Sequence, residues 1–339
     1  MTRSFIFLRY ILKSTVMSLT ILLAHHASAA SNIPLVHNQP TATDSCDVSN
    51  SNTTESADGT MLGVRQYGCS ANGHYVVFTV TIPKICKTVS CGLILDIHGA
   101  TMNAAEENAG TKLQYYGWKA PQYGASTPYI VIQPNLTNLF DTQNDTLDPL
   151  SVMGGAYNNE LPIISQFVNN VIQTLHVDNK RIHVHGFSRG AQTANVFYCN
   201  NSSLYASYAM TGGAATCAIT RPLMMTNGLT DPNVALAAAV TAAFAANRQT
   251  VTSVVAEDPS WQTPNLTYTS SGWVPVGKQS HKRYTQGAII LENVKHSGAS
   301  YPLAGHCLPV TTSPRWLVCQ DTFNLGENLI NFFIHNPKN

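Results

Sequence analysis

The chain has 339 residues, a formal net charge of +1 and only 11% charged residues. So even a balance excludes a nucleic-acid binder, which needs a basic surface. The length suits one large domain with a sizeable core.

In chain order, Arg3, Arg9 and Lys13 precede an apolar stretch over 16–24 and the small residues Ala27-Ser28-Ala29. That is the plan of a signal peptide over residues 1–29, with the mature chain expected to start near Ala30. The apolar stretch is short of the roughly 20 residues a membrane span needs. No later stretch is long and apolar enough to cross a bilayer. The expectation is therefore a secreted protein, extracellular or periplasmic, with no membrane attachment once the leader is cut. Residues 31–60 are rich in Ser, Thr, Asn and Asp, and 30–70 reads as an extended N-terminal segment. Residues 71–339 read as one folded domain, expected to be a monomer.

Eight cysteines follow the leader: Cys46, Cys69, Cys86, Cys91, Cys199, Cys217, Cys307 and Cys319. An even number in an exported chain points to disulfides. Spacing does not fix the connectivity. Pairing neighbours along the chain gives 46–69, 86–91, 199–217 and 307–319. No CxxC occurs, which weighs against a metal centre.

Strand-like runs rich in β-branched and aromatic residues cover 75–82, 93–97 and 129–133. Residues 103–113 and 160–176 carry helical patterns, the second with Leu161, Ile164, Phe167, Val168, Val171, Ile172 and Leu175 at helical spacing. A strand over 181–185 then leads into Gly186-Phe187-Ser188-Arg189-Gly190, with a helix expected from Ala191. Further strands are expected over 207–211, 222–226, 250–256 and 287–292, and helices over 234–246 and 325–334. Alternating strands and helices predict an α/β fold with a mainly parallel central sheet and helices on both faces. Ligands of such folds bind at the carboxyl ends of the strands.

Gly-x-Ser-x-Gly between a strand and a helix holds a serine on a tight, strained turn with its hydroxyl exposed above the sheet. A serine hydroxyl is a weak nucleophile, so it needs a base, an acid to orient the base, and donors for the developing oxyanion. The acid candidate is Asp231, in the loop after the 222–226 strand, with Asp258 as its rival. The base candidate is His306, in the loop before the last helix, with His296 as its rival. The oxyanion donors expected are the backbone N–H groups of Arg189, next to the serine, and of Ala100, in His98-Gly99-Ala100-Thr101.

Other residues carry weaker readings. His98, Thr101, Tyr116 and Trp118 are candidate substrate-binding residues, while Tyr115, Tyr116 and Trp118 serve a core equally well. Trp261, Trp273 and Trp316 suit a polymer surface or ordinary packing. His183 and His185 form an HxH pair with no third ligand evident, so packing is expected of them and no metal is assigned.

His98-Gly99-Ala100-Thr101, Gly186-Phe187-Ser188-Arg189-Gly190, Gly228-Leu229-Thr230-Asp231-Pro232-Asn233-Val234 and Gly305-His306-Cys307-Leu308-Pro309 together resemble the α/β-hydrolase superfamily. Within it, they are similar to secreted esterases related to polyhydroxybutyrate depolymerase and to feruloyl or acetylxylan esterases. The resemblance spans roughly residues 75–335. It implies a catalytic domain over 71–339, a Ser188–His306–Asp231 triad, no cofactor, and an ester or polyester substrate. Two departures stand out: Ala191 follows the elbow where the depolymerase group often has a second glycine, and Arg189 is a bulky neighbour for the serine. The rival readings are a carboxylesterase of plant-wall acyl groups, a serine peptidase, and a binding protein on an inactive hydrolase scaffold.

Overall fold

The computed structural model describes residue 46 and residues 61–71, 74–136, 156–200, 202–246, 253–255, 268–269, 272–273, 280–296, 305–311, 317–321 and 323–339. The expected leader, Asp258, Trp261 and Trp316 lie outside the described residues.

The β-branched runs form strands. β1 (Met61–Ala71), β2 (His74–Pro83), β3 (Cys91–Ile97), β4 (Tyr129–Asn135), β5 (Val177–Phe187), β6 (Ser207–Thr211) and β7 (Leu223–Gly228) come first. β8 (Ser253–Val255), β9 (Tyr268–Thr269), β10 (Gly272–Trp273), β11 (Ser280–Gln286), β12 (Ile289–His296), β13 (Leu308–Val310) and β14 (Val318–Gln320) follow. Ten of them make one sheet in the order β1-β2-β4-β3-β5-β6-β7-β12-β11-β8. Strands β4, β3, β5, β6, β7 and β12 are mutually parallel. Strands β1, β2, β11 and β8 add antiparallel edges. This mixed α/β architecture is an α/β-hydrolase fold.

Six α-helices are described: α1 (Ala104–Thr111), α2 (Leu113–Lys119), α3 (Leu161–Thr174), α4 (Arg189–Cys199), α5 (Val234–Ala246) and α6 (Leu325–His335). Side-chain alternation along the strands splits the core in two. On one face Ile94, Val131, Phe187, Ala209, Met224 and Val294 pack with Tyr116 of α2 and Leu329 and Phe333 of α6. On the other, Phe78 of β2 stacks on Phe167 of α3, ring centroids 3.9 Å apart and planes 8° apart. Asn293 of β12 reaches the same face, donating from Nδ2 to the Thr241 hydroxyl of α5 at 2.9 Å.

Several expectations need correction. Residues 61–70, assigned to the extended segment over 30–70, belong to the sheet instead, because Met61–Ala71 is a full strand paired along β2. Cys46 is bonded to Cys69 on that strand, so the lead-in is tied to the sheet. The helix expected over 103–113 breaks in two at Lys112, whose φ of 50° is left-handed and ends the ladder. Its start is an Asn103 capping box, with Asn103 Oδ1 accepting from the N–H groups of Ala105 and Glu106 and the Glu106 carboxylate accepting from the N–H of Asn103. The antiparallel strand β11 and the short parallel pair β13–β14 are elements the sequence pattern did not reveal. The other disulfides join Cys86 to Cys91, Cys199 to Cys217 and Cys307 to Cys319, so all four are the neighbour pairs.

Strand β3 has β4, its successor, on one side and β5 on the other. The chain therefore reverses its direction of winding between β3 and β5. The carboxyl ends of these two strands are where such sheets leave a crevice. Residues 98–101 and Ser188 emerge there.

Truncating Phe167 to alanine removes the ring that fills the space against Phe78. We expect Phe167→Ala to lower unfolding stability by about 3–5 kcal/mol, read from urea midpoints at unchanged m-value; a loss under about 1 kcal/mol would show that the site collapses without cost.

Candidate active site

Ser188 stands between the last residue of β5 and the first of α4, with φ 53° and ψ −114°. The turn is tight because its flanking glycines touch backbone. A Cβ on Gly186 would overlap the carbonyl oxygen of Gly190, and one on Gly190 would overlap that of Ile97. The N–H of Ser188 donates to the Thr211 carbonyl at 2.8 Å, tying the turn to the end of β6.

Two loops deliver partners to the hydroxyl. Asp231 follows β7, and its N–H donates to the carbonyl of Gly228 at 3.0 Å. Its Oδ1 accepts from the N–H of Asn233 at 2.7 Å, which fixes the carboxylate plane. His306 precedes β13 and is followed directly by the Cys307–Cys319 bridge. The N–H of Gly305 donates to the Thr230 hydroxyl at 2.9 Å, tying the His306 loop to the Asp231 loop. Between them the imidazole spans both partners. With its proton on Nδ1, His306 donates to Asp231 Oδ2 at 3.0 Å, and the Ser188 hydroxyl donates to His306 Nε2 at 2.8 Å. All three residues are buried.

The loop after β3 lies against the serine. A Cβ on Gly99 would come within 2.7 Å of the Phe187 ring and 3.2 Å of Ser188 Cβ. Thr101 is exposed and left-handed at φ 64°, so the chain turns directly after Ala100. The N–H of Arg189 belongs to the first turn of α4, where no intrahelical acceptor exists. Such first-turn donors suit a developing anion.

His98 and Tyr116 correct the substrate-binding expectation. His98 is fully buried. Its Nε2 accepts from the N–H of Leu136 at 3.0 Å, and its Nδ1–H donates to the carbonyl of Gly99 at 2.7 Å. Burial pushes its pKa down to about 4, so it is a neutral strut beneath the loop. Tyr157 completes the support, its hydroxyl donating to the same Gly99 carbonyl at 3.1 Å. Tyr116 lies in the core, and its hydroxyl accepts from Asn324 Nδ2 at 2.6 Å. Trp118 sits further along α2, whose Gly117 packs on Val131 and Tyr129 near the amino end of β4, with Lys119 Nζ 3.7 Å from the Trp118 ring. That places it away from the carboxyl edge. The rival base His296 is fully buried at the end of β12, 4.0 Å from Asp321. Burial lowers its pKa against a partial opposing pull from Asp321.

His183 and His185 do not act together. His183 bonds the Ser207 hydroxyl at 2.8 Å and stacks on Phe333. His185 donates from Nδ1 to Asp96 Oδ1 at 2.7 Å and meets the Thr211 hydroxyl at 3.0 Å through Nε2. Asp96 Oδ2 also accepts from the Thr111 hydroxyl at 2.9 Å and from Gln133 Nε2 at 2.6 Å. Glu107 faces the same cluster, its Oε1 3.5 Å from His185 Nδ1. Burial, and then the neighbouring Asp96, raise the Glu107 pKa well above the usual carboxylate range, so the group is held protonated. The expectation that no third potential ligand accompanies the histidine pair is thereby corrected, since Asp96 and Glu107 both stand beside His185. Asp96, charged within an otherwise apolar run, was the one local sign of this network; nothing in the sequence marked Glu107 or Tyr157.

No protein-family model matches the chain, and no curated protein matches its sequence. Solved structures give weaker likenesses. An acetyl xylan esterase from Aspergillus awamori is 15% identical, over 68% of this chain and 92% of that chain, at a TM-score of 0.44. A thermostable esterase is 15% identical, over 53% of this chain, at a TM-score of 0.39, and the match spans only 52% of the esterase's own length. An S-formylglutathione hydrolase (FrmB) from Staphylococcus aureus is 14% identical, over 50% of this chain and 77% of that chain, at 0.38. At such identities and scores, function has to be argued from the side chains.

The protonated Glu107 links stability to pH. A carboxyl whose folded pKa is raised contributes fully below its unfolded value near 4.5, and its contribution is lost as pH climbs toward the folded value. Glu107→Gln, a neutral isostere, is expected to gain on the parent chain as pH rises above 4.5, by up to about 1.4 kcal/mol per pH unit in that window. Denaturant unfolding of both chains at several pH values between 4 and 9 checks this. A difference that stays constant with pH would mean that Glu107 ionises normally.

Proposed function

We propose that this chain is a secreted serine esterase, with its catalytic domain over 71–339, acting as a monomer and without a cofactor. The single observation that carries the reading is His306 bridging the Ser188 hydroxyl and the Asp231 carboxylate at 2.8 and 3.0 Å. Ser188 Oγ attacks the ester carbonyl while His306 Nε2 takes its proton. Asp231 holds the imidazole in the Nδ1–H tautomer and offsets the positive charge that forms. The N–H groups of Arg189 and Ala100 receive the oxyanion; a single well-aimed donor of this kind contributes about 2.7–4 kcal/mol. His306 then protonates the leaving alkoxide, the acyl-enzyme forms, and a water activated by the same imidazole releases the acid.

The substrate we favour is a hydroxyalkanoate polyester or its oligomers, on the resemblance of the elbow, the His98-Gly99-Ala100-Thr101 loop and the acid and base loops to polyhydroxybutyrate depolymerases and their relatives. Four disulfides among the described residues are the kind of cross-link that persists in an oxidising compartment, which supports export. Among the described residues, no helix is long and apolar enough to cross a membrane.

Ser188→Ala is expected to lower kcat on a short p-nitrophenyl ester by about 10⁶-fold and to abolish labelling by a fluorophosphonate probe. Full hydrolysis by the variant, or a parent chain that resists the probe, would sink the mechanism and favour a binding role. Substrate class is read from the products: 3-hydroxybutyrate released from polyester films supports the favoured substrate. Release of ferulate or acetate from xylan, with the film untouched, would replace it with a plant-wall esterase.

A further inference from the structure

Arg189 differs from Arg181, Arg221 and Arg283, each of which is bonded at close range; Arg221 donates to the Ser202 carbonyl and the Tyr208 hydroxyl. Arg181 pairs with Asp178 and Arg283 with Glu292, both at short range. Arg189 has no such carboxylate among the described residues. Its guanidinium carbon lies 4.6 Å from the centre of the Tyr157 ring. That ring is fully buried and fixed at both ends. Its hydroxyl donates to the Gly99 carbonyl, its N–H donates to the Thr193 hydroxyl at 2.9 Å, and its edge meets the His98 ring. The cation therefore rests on a rigid platform between the oxyanion loop and the first turn of α4. Within it, Nε is buried and has no hydrogen-bond partner.

A buried, unsatisfied donor on a charged group is costly, and a protein retains one where something completes it. The planar fork of a guanidinium is matched by a carboxylate, bidentately and with charge assistance. Stacking on an aromatic face leaves the edge of that fork available. We propose that Arg189 is a specificity-determining residue that binds a carboxylate on the substrate. The preferred ester then carries a free carboxylate a few bonds from the scissile carbonyl, as the free-acid oligomers of a hydroxyalkanoate do. This inference rests on the esterase reading above. It selects within it, because neutral acetyl groups on a polysaccharide offer Arg189 nothing to bind.

The test compares a hydroxybutyrate trimer as the free acid with the same trimer as its methyl ester. The parent protein is expected to show kcat/KM about 10- to 100-fold higher for the acid, carried by KM, with the preference shrinking as salt screens the pair. In Arg189→Gln the acid-to-ester ratio falls toward one, whatever happens to the absolute rates, and Arg189→Lys lies between. Should the variants not fold, inhibition of the parent decides: monomethyl succinate, whose carboxylate lies a few bonds from an ester carbonyl, should compete with p-nitrophenyl butyrate about tenfold more strongly than neutral dimethyl succinate. Equal KM for acid and methyl ester, an unchanged ratio in Arg189→Gln, or equal inhibition by the two succinates overturns the inference and leaves the esterase reading intact. Hydrolysis of no ester at all overturns the esterase reading, and the inference falls with it.

Discussion

The contact on which the site depends is between two backbones: the first turn of α4, at Gly190, lies directly on the carbonyl of Ile97 at the end of β3. No side chain fits between them. The approach brings α4 down onto the sheet, so that Ser188 rises over the carboxyl edge while the loop from His98 to Thr101 passes beside it. Ser188, the N–H groups of Ala100 and Arg189, and the cation at 189 are thus set by one helix-to-strand distance. Asp231 and His306 arrive separately, on the loops after β7 and before β13, and their loops are tied together by the Gly305–Thr230 hydrogen bond.

Beneath this edge the sheet is unusually polar for a buried layer. Asp96, His185, Thr211, Thr111 and Gln133 form a hydrogen-bonded set across four adjacent strands and α1. Such networks cost desolvation and return directional rigidity when every member is matched. Glu107 is the exception within it, an acid kept neutral so that the apolar surroundings tolerate it. His98 plays a comparable part above. By remaining an uncharged imidazole it can accept from Leu136 and donate to Gly99 at once, which imidazolium cannot.

Much of the architecture was legible because it is encoded locally. The strand before Ser188, the glycines at 186 and 190 and the helix after them are contiguous, and the alternation of apolar runs with helical spacing gave the fold class. Asp231 and His306 were readable as loop residues following strands, and the structure brings them to hydrogen-bonding distance of one another and of the serine. What escaped was non-local. His98 looked like a cleft residue because its motif sits at a strand end; its burial depends on Leu136 and Tyr157, far along the chain. Tyr116 looked equally suited to cleft or core until Asn324 claimed its hydroxyl. Glu107 lies in a short helix whose sequence, Ala-Ala-Glu-Glu-Asn-Ala-Gly-Thr, reads as solvent-facing. The break at Lys112 and the strand β1 in a polar lead-in are likewise settled by tertiary packing rather than by propensity.

The backbone at Ser188 carries a cost that its own chemistry does not repay to the fold. A non-glycine residue at φ 53° and ψ −114° stores strain of about 1–3 kcal/mol, comparable to a noticeable fraction of the whole stability of a domain. Glycine would relieve it. Selection for stability alone therefore pulls position 188 toward glycine, which has no hydroxyl, and on the proposed esterase reading it is selection for turnover that holds serine there. A copy of this chain released from that requirement would be expected to lose the Ser188 hydroxyl early, before its core, disulfides or sheet order changed at all. The identity of residue 188 is thus a more sensitive record of whether a descendant still works than the fold around it.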